Sequence, residues 1–276
     1  MGGFFGAVSA NDCVLDVFYG TDYHSHLGTR RGGMTSYSAE LGFQRNIHSI
    51  ENSPFRTKFE KDVEKMRGNI CIGCISDTDP QPIMVRSKLG LYAVCSIGII
   101  QNAKALSEEL LESGCANFET MSSGNINSGG LIGALIAQKP TFVEGIRYAQ
   151  SKIEGTMSLV IMTEDSIICA RDRAGKLPIL IGKRSDGYCF SFESFAYQKL
   201  GYETCHELKA GEITCLTKDG YEVLYEGTEE MKICTFLWTY YGYPTACYEG
   251  VNVEVMRTKN GEIMAENDMK NGKLPD

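Results

Sequence analysis

The chain has 276 residues, 43% of them hydrophobic, enough to bury one large core or two small ones. Its formal charge of −8 argues against nucleic acid or an anionic membrane surface as partner. No run approaches the roughly 18 apolar residues of a spanning helix, and the start lacks the basic region of a secretory signal, so a cytoplasmic protein without membrane contact is expected.

Gly2-Gly-Phe-Phe-Gly-Ala-Val-Ser9 reads as a buried strand whose glycines let another group approach the backbone. Residues 13–28 read as a helix ending at Gly28, and 34–48 as two short strands, Met34–Tyr37 and Gly42–Arg45. Over 55–67, Phe55, Phe59 and Val63 are spaced for one helix face. Strands are expected at 69–76, 82–86 and 91–100. The helix at 103–113 has Ala103, Leu106 and Leu110 on one side and a stop at Gly114. Two more helices cover 127–136 and 140–149. From Thr156 strands dominate, at 157–163, 166–170, 179–182, 188–191, 212–216 and 221–224. That order suggests an α+β arrangement of two packed sheets flanked by helices. After Val255 the chain turns polar without an apolar stripe, so 251–276 reads as a frayed end or a linker toward another domain.

Eleven cysteines are scattered singly, a pattern of reduced core thiols rather than of a disulfide framework. Cys71-Ile-Gly-Cys74 lies inside an apolar strand with no second pair nearby, which favours packing over zinc or redox use. His24, His26, His48 and His206 lack metal-ligand spacing. Neither a metal nor a cofactor is expected.

Six segments carry a resemblance. Ala170-Arg-Asp-Arg-Ala-Gly-Lys-Leu-Pro-Ile-Leu-Ile-Gly182 follows the pattern A-R-D-x-x-G-x-x-P-L-x-x-G, and Phe190-Ser-Phe-Glu-Ser-Phe-Ala196 resembles A-S-E-S-x-A. Lys209-Ala-Gly-Glu-Ile213 resembles P-G-E-I, and Glu154-Gly-Thr-Met-Ser-Leu-Val160 matches the strand before the signature. His26-Leu-Gly-Thr-Arg-Arg-Gly-Gly-Met34 resembles H-R-G-Q-x-S-A-G-I, and Ile233–Pro244 resembles C-x-F-E-Y-x-Y-F-A-R-P. Together they resemble class II glutamine amidotransferases, most of all the glutaminase domain of amidophosphoribosyltransferases. The resemblance covers residues 2 to about 250. It implies a four-layer αββα sandwich of two mainly antiparallel sheets, the N-terminal-nucleophile hydrolase fold. A domain over 1–250 would then be followed by a linker, 251–276, toward a phosphoribosyltransferase domain that these residues do not include.

The family chemistry uses an N-terminal cysteine: its amine is the base and its thiolate attacks the glutamine amide. Where the family reads M-C-G-[IV]-F-G, this chain reads Met1-Gly2-Gly3-Phe4-Phe5-Gly6, so the nucleophile position holds Gly2. The arginine that would clasp the glutamine carboxylate is replaced by Ser76 in Ile72-Gly-Cys-Ile-Ser76. The oxyanion position is Ile97, although Gly98 is kept. The aspartate for the glutamine amine becomes Asn127, and the arginine of H-R-G becomes Leu27. Cys13, at a helix start, lacks the amine base. Arg30 and Arg31 lie in the segment that closes over glutamine in the family, where Gly32-Gly33 would let it move and hold an anion. Cys234 matches a cysteine that helps hold an iron–sulfur cluster in some relatives, but the other ligands lie outside these residues.

The resemblance thus implies a domain that has lost glutamine hydrolysis and serves as a structural or ligand-sensing partner of the phosphoribosyltransferase domain. A second reading is a working amidotransferase of purine nucleotide synthesis, supplying ammonia to phosphoribosyl pyrophosphate, in which Gly2 is an engineered replacement. A third is a module that binds glutamine or another amino acid through Ser76, Asn127, Gly98, Arg30 and Arg31. A homo-oligomer is compatible with each.

Overall fold

In the computed structural model, which describes residues 2–114, 118 and 124–272, β1 (Gly2–Ser9) is buried on both faces. Side chains alternate along a strand: Phe4 and Val8 enter one apolar layer, Phe5 and Ala7 another. The first sheet adds β2 (Arg31–Ser38), β3 (Gly42–Ser49) and β4 (Ile70–Ser76) on one side of β1. The second sheet begins with β5 (Ile83–Ser87), β6 (Gly90–Ile100), β7 (Gly155–Met162) and β8 (Ile167–Ala170). β9 (Leu180–Arg184), β10 (Gly187–Ser191) and β11 (Glu203–Glu207) return to the first, and β12 (Ile213–Leu216) and β13 (Tyr221–Tyr225) to the second. The orders are β11-β9-β10-β1-β4-β2-β3 and β13-β12-β8-β7-β6-β5, with antiparallel neighbours throughout.

Three apolar layers account for the architecture. Between the sheets lie Phe4, Ile72, Cys74, Cys95, Ile97, Val160 and Phe190. Outside the first sheet, α1 (Val14–Asp22) and α2 (Phe55–Val63) bury Val17, Phe18, Phe55 and Phe59. Outside the second, α3 (Ala103–Glu112), α4 (Ser128–Ile136) and α5 (Phe142–Lys152) bury Leu106, Leu131, Ile132 and Ile146. The result is the αββα sandwich of the N-terminal-nucleophile fold. Among the described residues, no helix is long and apolar enough to cross a membrane.

Several expectations need correction. The helix over 13–28 stops at Asp22, and a 3-10 turn, Ser25–Leu27, follows. His24 turns inward there, its Nδ1 donating to the Gly20 carbonyl at 2.7 Å. The strand expected at Met34 already begins at Arg31. Gly32 and Gly33 are part of β2 rather than a hinge: a Cβ on Gly33 would overlap the Gln81 carbonyl, and one on Gly32 would press the Phe55 ring. α6 (Ser194–Gln198), the hairpin of β14 (Cys247–Tyr248) and β15 (Val251–Asn252), and a single π-helical turn at Leu237–Tyr241 are additional. The polar tail is not irregular but an 18-residue helix, α7 (Val253–Lys270). Asn252 caps it by accepting the Val255 N–H at 3.1 Å. Met1 and residues 273–276 lie outside the described residues.

Candidate functional site

Strand register brings three of the singled-out positions side by side. Ser76, ending β4, pairs with Gly2 on one flank and Arg31 on the other. A Cβ built on Gly2 would sit 2.5 Å from the Ile75 carbonyl oxygen. β1 is therefore seated on β4 so closely that any side chain at position 2 requires the backbone to move. On the facing sheet, Ile97 points into the layer between the sheets and is 7% exposed. Gly98 has φ +140, and a Cβ there would collide with the Thr156 carbonyl. Leu27 joins the same apolar layer. Arg30 is exposed in the bend before β2, and Arg31 is half-buried at its first residue.

The segment 77–82 stitches these positions together. Ser76 Oγ accepts the N–H groups of Thr78 and Asp79, each at 3.2 Å. Asp79, buried, accepts the Ser128 N–H at 3.0 Å and so places a carboxylate on the N-terminus of α4. Asn127 caps that helix: its Oδ1 accepts the Gly129 N–H at 2.8 Å and its amide donates to Pro80 O at 2.9 Å. Gln81 mimics a strand neighbour of β6, accepting the Ser96 N–H at 2.6 Å and donating to its carbonyl at 3.1 Å. The Ser76 oxygen and both Asn127 side-chain groups thus already have partners within the protein. Asp79 and Gln81 were not singled out from the sequence, because their partners are 15 to 49 residues away.

A second polar cluster lies behind β1. His24 Nε2 is 3.2 Å from Ser191 Oγ, and the Ser191 hydroxyl donates to Glu193 O at 2.8 Å. The Glu193 carboxylate is fully buried and accepts the Tyr243 N–H at 2.9 Å and the Tyr248 hydroxyl at 2.5 Å. His26 Nε2 lies 2.8 Å from its other oxygen, near enough for an ion pair though poorly aligned for a hydrogen bond. Burial opposes ionisation of Glu193, yet His26, His24 and the Tyr248 hydroxyl hold its carboxyl below the ordinary range.

Burial lowers the His24 pKa to about 4, against the attraction of Glu193 and the bond to Gly20. A depressed histidine stabilises the fold in full above its ordinary value of 6.5 and ceases to as pH falls through 4. Stability from this one group should fall by about 3 kcal/mol over that window, at about 1.36 kcal/mol per pH unit. Urea denaturation from pH 7 to 4 measures the slope. As pH falls over that range, His24→Gln should lose about 3 kcal/mol less stability than wild type, and identical slopes in both proteins would refute the assignment.

The thiols behave as packing groups. Cys71 and Cys74 face opposite sides of β4, one in the helix-side layer and the other between the sheets, so they share neither a metal nor a disulfide. Cys13 is 1% exposed, with Sγ donating to Ala7 O. Cys234 Sγ lies 3.6 Å from the Tyr241 hydroxyl. A cleft of about 740 Å³ is lined by Gln150, Met157, Arg173, Met231 and Lys232 among others, and one of about 510 Å³ lies between α1 and α2. Neither is lined by Gly2, Ser76, Ile97 or Asn127.

A family profile described as "Glutamine amidotransferase domain" matches residues 66–198. The amidophosphoribosyltransferase of Archaeoglobus fulgidus is 25% identical over 259 residues, covering 90% of this chain and 55% of that protein. The Staphylococcus epidermidis amidophosphoribosyltransferase is 29% identical over 252 residues, covering 88% and 47%. Glutamine phosphoribosylpyrophosphate amidotransferase from B. subtilis, solved with ADP and GMP, superposes with a TM-score of 0.84 at 23% identity, over 96% of this chain and 58% of that one. The chain therefore spans about half the length of the curated relatives it matches. Residues 66–198 thus match a glutamine amidotransferase domain, and the chain is similar along nearly its whole length to amidophosphoribosyltransferases.

Proposed function

We propose that this domain does not hydrolyse glutamine and is a structural or ligand-sensing partner of a phosphoribosyltransferase-type domain. The observation that carries the reading is Gly2, which has no attacking atom and no room for one beside Ile75 O at 2.5 Å. The inward bonding of Ser76, Asn127, Asp79 and Gln81 supports it, since groups already paired within the fold gain little from a substrate. Loss of an oxyanion donor at Ile97 alone should raise a barrier by about 2.7–4 kcal/mol. Residues 251–276, helical from Val253 to Lys270, serve in this reading as the connection between the two domains.

The purified protein should release no ammonia from glutamine above a heat-denatured blank, and a glutamine-analogue electrophile should leave no adduct. Steady conversion of glutamine to glutamate, or an adduct on Cys13, ends the proposal. If the domain senses a ligand, an amino acid or nucleotide at 100 times its Kd should stabilise it by about 2.7 kcal/mol in a thermal-shift screen. Uniform silence there leaves only the structural role.

A further inference from the structure

The segment 242–252, which joins the sandwich to α7, is fastened by two buried ionic anchors. One is Glu193, bound to Tyr243 N and Tyr248 Oη. The other is Arg171, which has no exposed surface and whose Nη2 meets Glu249 Oε1 at 2.5 Å and Gly175 O at 2.7 Å. Its Nη1 donates to Leu208 O. Glu249 adopts φ +49, a left-handed conformation that a non-glycine residue holds only when its surroundings compel it. Gly250 follows at φ +73, completing the two-residue turn between β14 and β15. What compels Glu249 is its two bonds: the side chain to Arg171, and the N–H to both oxygens of Glu207, at 3.1 and 3.2 Å.

We propose that Arg171, Glu207 and Glu249 form a pH-responsive clasp that holds segment 242–252 against the sandwich and weakens as Glu207 ionises. The charge count drives it. Two half-buried carboxylates lie beside one fully buried guanidinium, so with both ionised one negative charge is uncompensated. With Glu207 protonated the site is neutral, and its proton can be shared with Glu249.

The groups facing Glu207 are Glu249 from the hairpin, Arg171 from the end of β8, and the Tyr197 hydroxyl from α6. On its own strand, His206 is engaged by Glu212 at 2.5 Å. Burial, then the charge of Glu249, pushes Glu207 up to about 7, with Arg171 and the Glu249 N–H opposing. Once the hairpin lifts away, Glu207 returns toward its ordinary 4.5. The closed form therefore binds the proton more tightly. Its advantage is full below about 4.5, declines as pH rises, and is gone above about 7.

The lone tryptophan reports on this segment. Trp238 is 6% exposed, its Nε1 donates to Val251 O at 3.0 Å, and its ring meets Tyr248 edge-on at 5.9 Å. Acrylamide quenching of Trp238 should rise about twofold between pH 5.5 and 8.5, with a midpoint near 7. Glu207→Gln, neutral at every pH, should stay at the low-pH value throughout. Glu249→Gln should move the midpoint down by about one unit, since it removes the repelling charge. Far-UV circular dichroism should not change over the same range. A flat wild-type profile, a transition that survives in Glu207→Gln and so belongs to a histidine, or a simultaneous loss of ellipticity would each overturn the clasp. The clasp does not depend on the proposed loss of glutamine hydrolysis.

Discussion

On the proposed reading, Gly2→Cys is expected to leave glutamine hydrolysis undetectable and to destabilise the fold by about 1–3 kcal/mol, the usual range for forcing atoms into a filled site. The new Cβ meets the Ile75 carbonyl at 2.5 Å, and that oxygen belongs to β4, whose ladder with β1 runs from Gly2–Ser76 to Val8–Ile70. A flexible side chain would step aside; a strand backbone tied on both edges does not. By the resemblance, even a seated thiol would find Ile97 at the oxyanion position and Ser76 at the place of the carboxylate-binding guanidinium. Two measurements decide the matter: ammonia release by the variant after confirmed removal of Met1, and its urea midpoint against wild type. Hydrolysis at a rate within tenfold of a working amidotransferase would mean that the pocket is intact and that only the sulfur is missing. An unchanged midpoint would mean that β1 and β4 are looser than their register implies.

The sequence disclosed most of the sandwich because its helices bury one face each and so print their period on the residue order, while its central strands are buried on both faces and read as short, largely apolar runs. Phe55, Phe59 and Val63 announce α2 in this way. Where burial is not the organising force, pattern reading fails. α7 buries only Val253 among its residues and is held instead by the Asn252 cap and by Arg257. That arginine donates to Trp238 O at 2.7 Å and to Gly242 O at 2.9 Å, contacts that no periodicity foretells. β11 is an exposed edge strand, Glu203-Thr-Cys-His-Glu207, with neither alternation nor apolar content. Arg30-Arg31-Gly32-Gly33 has loop composition, yet the glycines answer to Phe55 and the Gln81 carbonyl pressing on β2. At the site, Gly2, Ser76, Ile97 and Asn127 could be singled out, because each is a single letter in the pattern that the sequence resembles. Their closure by segment 77–82 could not, since it depends on which carbonyl a side chain meets after folding.

Two titrations of opposite sign shape the pH response. His24 withdraws stability as pH falls from 6.5 toward 4, whereas Glu207 withdraws it as pH rises from 4.5 toward 7. Global unfolding of the wild type sums the two, so they partly cancel there and only comparison with the single-site variants separates them. The signature residues kept by this chain explain why the second matters: Arg171 and Glu193, from the two most recognisable motifs, both bind segment 242–252 rather than a substrate. Packing of that segment thus gives these motif residues a role that needs no glutamine chemistry.

Arg171→Ala should be the most destabilising single change at these anchors, by about 3–5 kcal/mol, because it strands buried charge rather than merely removing a contact. Glu249 and Glu207 would face each other without a cation, and the Leu208 and Gly175 carbonyls would lose their donors. For a domain of this size the melting temperature should drop by on the order of 10 °C. Arg171→Met paired with Glu249→Gln is the informative control, since neutralising both partners at similar volume leaves no orphaned charge. The double variant should recover at least half of the loss seen in Arg171→Ala, with the same secondary structure. Urea denaturation of wild type, both single variants and the pair closes a double-mutant cycle. A coupling energy near zero would show that Arg171 acts through volume alone, and the ionic account of how this segment is held would then fail.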